Sequence, residues 1–315
     1  MGKNRRNDRV RCHQFYWWHL TKQLMKLPSF FLFLSLLLAT TTARAEAPGS
    51  VTITVLNASG AVLASGSDAK GAVFEYHAAY QKGDTVVVAG PKDARFFVVQ
   101  IDPAVNESLI YAPASRITYP IPFNQERKSG YNPAAFGGEN HTIKARLATA
   151  SELSTYRNVA VNALDKRGQT EYFPHATANI VTRNDPQFYE RNAIDGNKQN
   201  THHGGWPYES WGTDKRLDAT LKIDFGREVE IDKVRIFIRC DFPHDTYWKS
   251  LTMRFSDGST MDAALEKKAE GQDIAFAKKK VSFIQLENLQ QISTPLGWAA
   301  LTEIEVYGSD PGAKP

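Results

Sequence analysis

Cysteine is nearly absent from this chain: Cys12 and Cys240 are the only two among 315 residues. That excludes a disulfide-built scaffold, so an exported fold must hold together through its core or a bound metal. Cys240 ends the apolar run VRIFIRC, a setting that suits an inert buried thiol better than a nucleophile. Long hydrophobic runs are missing too. The strongest, FFLFLSLLLA at residues 30–39, falls short of the roughly 20 residues needed to span a bilayer core. There is no H-E-x-x-H, G-x-S-x-G or P-loop pattern, so metalloprotease, serine-hydrolase and P-loop nucleotide chemistry have no motif to rest on.

A surplus of charge of one sign is lacking as well, once its source is located. The formal charge of +4 arises in the first 45 residues, where eight Lys and Arg face a single acid, Asp8. Removing them from the chain's 38 basic and 34 acidic residues leaves 30 and 33, a net of −3. Phosphate backbones are bound by clustered positive charge, so nucleic acid is excluded as the main partner. A mildly acidic body does not favour anionic lipid either, and a membrane partner is not expected after cleavage.

The same first 45 residues read as a secretory signal peptide: Met25 and Lys26, the apolar core, then Ala43, Arg44 and Ala45 as a small-x-small cleavage site. The part before Met25 is long for such a segment and carries Trp17 and Trp18, so Met25 is an alternative start. A type II anchor is the alternative to cleavage. The expected localisation is secreted, periplasmic or cell-surface.

What the chain does have is short β patterning. VTITVLN, AVLAS, AVFEYHAAY, TVVVAG and RFFVVQID succeed one another, with Ala58, Ser59 and Gly60, and then Lys82, Gly83 and Asp84, as turns. Residues 46–123 therefore read as a small antiparallel β-sandwich without tryptophan, a structural or docking module. Residues 124–157 turn polar and carry Asn132-Pro133 and Gly137-Gly138 breaks, which reads as a linker. Within it KARLATASELSTYR suits a short helix with Ser151 as its internal cap. From residue 158 strands are predicted at LKIDF, KVRIFIRC, SLTMRFS, SFIQLENL and TEIEVYG, a second all-β sandwich running to residue 310 with a short tail at 311–315. Trp206, Trp211, Trp248 and Trp298 all lie in this part.

The order of motifs here resembles the discoidin family, the coagulation-factor C-type (F5/8 type C) domain of the galactose-binding-like superfamily, which includes many bacterial carbohydrate-binding modules. The resemblance is carried by Asn158-Val159-Ala160, Asn192 to Asn197 (NAIDGN), Ser210-Trp211-Gly212, LKIDFGREVEIDKVRIF, FSDGS and the terminal LTEIEVYG. It covers about 150 of the 315 residues. It implies a jelly-roll β-sandwich. It also implies a structural calcium site closed by a glutamate of the last strand, which is Glu303 here. Asp195, Asn197, Asn200 and Thr201 offer oxygens within seven residues, as a hard cation requires. The plain alternative is that Asp-Gly-Asn is a turn with Asp195 capping its own backbone.

Sugar recognition needs aromatic faces and planar charged groups that grip paired hydroxyls. Two segments supply both: HHGGWPYESWG, with Trp206 and Tyr208, and RCDFPHDTYW, with Arg239, Asp241, His244, Asp245 and Trp248. The resulting expectation is a non-catalytic protein that binds an oligo- or polysaccharide. Two alternatives stand beside it. One is a cell-surface adhesin or assembly subunit that binds protein. The other is a glycan-processing enzyme using Asp241, His244 and Asp245, although nothing in the sequence pins two carboxylates about 5 to 10 Å apart across a cleft. Export is expected to remove the segment ending at Ala45. N-terminal sequencing of the exported protein reads this directly, and recovery of residues 30–39 in the mature product would establish the anchor instead.

Overall fold

The computed structural model describes residues 49–240, 246–292, 297–310 and 313. The protein is all-β, as its patterning predicts, and its strands pair antiparallel throughout these residues.

The first sandwich uses β1 (Val51–Leu56), β2 (Val62–Asp68), β3 (Ala72–Tyr76), β4 (Thr85–Ala89), β5 (Phe96–Gln100), β6 (Ser108–Tyr111), β7 (Arg116–Pro120) and β8 (His141–Leu147). One sheet has the order β2-β1-β4-β7 and the other β3-β8-β5-β6. In β1 the valines and Ile53 face inward and the threonines outward, the period-2 alternation of a half-buried strand. The predicted turns form. Asn57 Oδ1 accepts from the N–H groups of Ser59 and Ala61 at 3.0 and 2.9 Å, and Asp84 accepts from Gln81 N–H at 2.7 Å.

The predicted linker is not one. It contributes β8, which sits between β3 and β5, and Tyr131, Phe136 and Ile143, which are buried in the same core. Its polar and Gly-rich stretches are loops of the first sandwich, around the short helix α1 (Asn124–Gly130). The helix predicted from KARLATASELSTYR shrinks to α2 (Ala150–Ser154), because KARL belongs to β8. Its cap is Thr149, which forms a capping box with Glu152, and not Ser151.

The second module adds β9 (Arg157–Asn158), β10 (His175–Ala178), β11 (Trp211–Gly212), β12 (Leu221–Ile238), β13 (Trp248–Phe255), β14 (Thr260–Ala264), β15 (Gln272–Gln291) and β16 (Ala300–Ser309). Their order is β11-β16-β12-β15-β13-β14, with β10 on β12 and β9 on β16. Two predicted strands, LKIDF and KVRIFIRC, are one 18-residue strand that shifts register between Asp224 and Val229. Gly226 stands in that bulge with φ +67°, and a Cβ there would come 2.3 Å from the Phe173 ring. Only glycine fits, and the bulge bends the long strand around the core.

The two modules share a boundary. Tyr111 and Phe173 exchange backbone hydrogen bonds at 2.8 and 2.9 Å, and Ala163 N–H donates to Ser108 Oγ at 2.9 Å. Asp310, from the end of the chain, accepts from both Arg157 and Arg227, while Arg227 lies over the rings of Phe96 and Tyr111. No helix among the described residues is long and apolar enough to cross a membrane.

Trp248, expected at the sugar site, is a core residue instead: it is 1% exposed and packs on Trp211, ring centroids 5.9 Å apart. Position 248 opens β13 on its inward face, so the indole has no route to solvent. Trp248→Ala is expected to destabilise the fold by about 3 to 5 kcal/mol, the usual cost of emptying a buried aromatic site. A denaturant melt checks this, and a loss below about 1 kcal/mol would contradict the burial.

Candidate functional site

Arg239 stands where β12 runs out. Its N–H donates to the carbonyl of Ala300 at 3.0 Å, continuing the ladder that pairs Ile238 with Leu301 of β16. Its guanidinium Nη2 donates to the carbonyl of Trp298, just before β16. The ladder therefore brings an arginine and a half-buried tryptophan, distant in sequence, to one end of the sandwich.

The facing wall is a pair of 3₁₀ turns, Thr182–Asn184 and Pro186–Phe188, the second capped by Asp185. Phe188 is buried there, and Thr182 Oγ1 accepts from Asp214 N–H at 2.9 Å. Gly212 closes the floor: a Cβ at this position would sit 2.5 Å from Thr182 Oγ1. Between these walls lies a cavity of about 220 Å³ that includes Thr182, Arg183, Phe188, His203, Arg239 and Trp298 among its lining residues. Pockets for drug-sized ligands usually run from about 300 to 1,000 Å³, so this one suits a single small ring with its substituents.

Trp206 does not share that cavity. Its N–H donates to the carbonyl of Ser129 at 2.9 Å, and its ring, 39% exposed, lines a separate cavity of about 50 Å³ where the two modules meet. Asn106 and Asn132 line it from the first module, and Arg191, Asp195 and Glu209 from the second. Tyr208 is half-buried and packs against His202, centroids 4.8 Å apart. Asp241, His244 and Asp245 fall outside the described residues.

The carboxylates form a third feature. Asp195, Glu209 and Glu303 are all buried. Glu303 accepts from Gly196 N–H with both oxygens, at 3.2 and 3.3 Å. Asn197 donates its amide to Glu209 Oε1 at 2.8 Å and to the carbonyl of Pro207, while its own N–H donates to Asp195 Oδ1 at 2.9 Å. Glu209 Oε2 has no hydrogen-bond partner among the described residues. Burial pushes the pKa of all three carboxyls up, and the charge of Asp195 adds to the effect on the other two. Arg191 opposes the shift at Asp195, its Nη1 standing 3.9 Å from Oδ2.

Asn200 and Thr201 are not part of this group. Asn200 donates its amide to the carbonyls of Ile238 and Ala269, tying β12 to the loop before β15, and Thr201 is exposed beside His202. Among the described residues no three His, Cys, Asp or Glu side chains are placed to hold an ion by themselves. A cation on this loop must therefore also take amide or main-chain oxygens. The cluster of buried carboxyls and the oxygen of Glu209 that finds no partner among the described residues do fit a cation's demand.

Sequence reading missed Trp298, Arg183 and Glu209 as site residues. Trp298 had a signal, since Pro295 and Gly297, residues that favour turns, precede it and a predicted strand follows. Glu209 had one too, as a lone acid within WPYESW. Arg183 had none, since an arginine in TRND reads as an ordinary loop residue.

No protein-family model and no curated protein sequence matches the chain. Solved structures similar to it include a fucose-binding module of Streptococcus pneumoniae, SpX-3, at 18% identity over 48% of this chain and 96% of that one, TM-score 0.34. Another is the family 32 carbohydrate-binding module of Clostridium perfringens NanJ in complex with galactose, at 20% over 42% and 91%, TM-score 0.33. A third is chitosan-binding module 1 of a Paenibacillus sp. IK-5 chitosanase/glucanase, at 19% over 48% and 98%, TM-score 0.33. Likeness at this level assigns no ligand to the present chain.

Proposed function

We propose that this is a secreted, non-catalytic carbohydrate-binding protein whose sugar site is the cavity between Arg239 and Trp298. One observation carries the reading: a half-buried indole and a buried aromatic, Phe188, face a guanidinium held rigidly by its bond to the Trp298 carbonyl. Aromatic faces stack on the C–H groups of a pyranose, and the planar fork of an arginine pairs with adjacent hydroxyls. Arg239 directly follows β12 and Trp298 stands two residues before β16, so the ladder between those strands keeps their geometry without ligand. Binding and orientation follow from such a site, and no bond-making step is part of the proposal.

Arg239→Ala is expected to weaken sugar binding by about 1.5 to 3 kcal/mol, as for the loss of a charge-assisted contact. Trp298→Ala should lower affinity through the lost stacking face. The test is a glycan array on the exported protein followed by titration calorimetry of each variant. The proposal fails if no glycan is held, or if both variants bind every hit as the parent does.

A structural calcium ion belongs to the same proposal. Asp195 and Glu303 would hold it together with main-chain or amide oxygens of the loop, and it would supply positive charge to a buried acidic cluster and take no part in chemistry. Calcium at about 100 times its dissociation constant is then expected to add about 2.7 kcal/mol to stability. Melting curves in calcium and in chelator measure this, with Glu303→Gln expected to remove the difference. An unchanged midpoint, with no metal in the purified protein, would remove calcium from the account.

A further inference from the structure

We infer that the sugar held at this cavity carries an acidic group, a carboxylate or sulfate on the ring, received by Arg183 and Lys215 at the rim of Trp298. The inference rests on the carbohydrate reading above and concerns the class of sugar. Its origin is the charge around one indole. Lys215 Nζ lies 4.4 Å from the centre of the Trp298 ring, and the Arg183 guanidinium lies 5.9 Å from it and 5.4 Å from the ring of Phe188. Among the described residues neither cation has an ion-pair partner and no Asp or Glu lines the cavity. Arg239 and His203 contribute further nitrogen donors to the lining. The inference does not depend on how those two are paired, since Arg183 and Lys215 stand apart from them in the chain.

The backbone beneath the two cations is unusual. Arg183 and Asn184 have φ of 54° and 51°, and Asp214 and Lys215 have φ of 51° and 64°. Four non-glycine residues in the left-handed region, in two separate turns that flank one tryptophan, are conformations that surrounding structure must enforce. The enforcing contact joins the two turns: Asp214 N–H donates to Thr182 Oγ1. The consequence is that both exposed cations stand against the Trp298 ring, Arg183 in the lining of the cavity and Lys215 beside it. A neutral pyranose has no use for two such charges. A carboxylate or sulfate does, since an oxyanion accepts from both while the sugar ring meets the indole.

The test uses the full exported chain and four probe sets: oligogalacturonate with oligoglucuronate, the methyl esters of both, 6-O-sulfated galactose oligomers, and unsubstituted galactose oligomers. The inference predicts that acids bind at least about tenfold more tightly than their methyl esters, in keeping with the greater strength of hydrogen bonds to charged groups. It also predicts that this preference shrinks as salt rises. The combined R183Q and K215Q variant should lose most of the preference for acid over ester. Comparison of the uronates with the sulfated oligomers tells which oxyanion is preferred. Equal binding of acids, esters and unsubstituted oligomers by the parent overturns the acidic-sugar inference and leaves the carbohydrate reading standing. So does a preference unaltered in the double variant. Binding to no sugar of any set overturns both. Because the acid-to-ester comparison is made on the parent protein, the inference is decided even if the double variant does not fold.

Discussion

A buried guanidinium holds the junction on which the rest of this molecule is built. Arg191 donates to the carbonyls of Asp165 at 2.7 Å and of Gly130 and Ala163 at 3.2 Å, and it lies 4.5 Å above the centre of the Tyr131 ring. Gly130 and Tyr131 belong to the first sandwich, Ala163 and Asp165 to the segment that enters the second. Burial works against this charge, but Tyr131 and Asp195 beside it keep the group protonated, and its pKa stays above the ordinary value. A charge taken out of water must be fully paired to be tolerated, so its partners are effectively fixed in place. The Asp195 loop stands beside this contact, and Arg191, Asp195 and Trp206 together line the small cavity between the modules.

The cavity beside Trp298 lies in the same module but depends on a different constraint, the ladder between β12 and β16. That ladder delivers Arg239 beside Trp298, and the bend of β12 at Gly226 lets the strand continue around the core before it does so. Arg239 and Trp298 are thus held by elements that also build the core, so the cavity shape is set by strand pairing. The carboxylates of Asp195, Glu209 and Glu303 follow the opposite logic. Their burial raises their pKa values, and N–H donors of the neighbouring loop, with Arg191 beside Asp195, meet part of their oxygens.

Much of the fold was legible in local pattern. The alternation in VTITVL, the Asn57 and Asp84 turns and the spacing of strands after residue 158 gave the all-β class and two sandwiches. The boundary was not, because the polar, Gly-broken stretch before β8 mimics a linker while Tyr131 and Phe136 bury themselves in the first core. At the site, Asp195 and Glu303 were paired by the family resemblance; both are buried, and Glu303 accepts from the amide of Gly196, the residue after Asp195. Asn200 had the right chemistry and the wrong direction, its amide being spent on the carbonyls of Ile238 and Ala269. Trp248 had the composition of a sugar-binding residue and the register of a core one.

Strand and turn content, the basic and apolar character of the first 45 residues, and the scarcity of thiols were therefore properties of the sequence alone, because each depends on composition or on residues within a few positions of one another. Which tryptophan faces solvent, which arginine meets it, and which cations share its rim were decided by tertiary structure. Arg183, Lys215, Arg239 and Trp298 come from four separate segments. Only the register of paired strands and the strained turns between them bring such distant side chains within contact distance, and no local periodicity records that register.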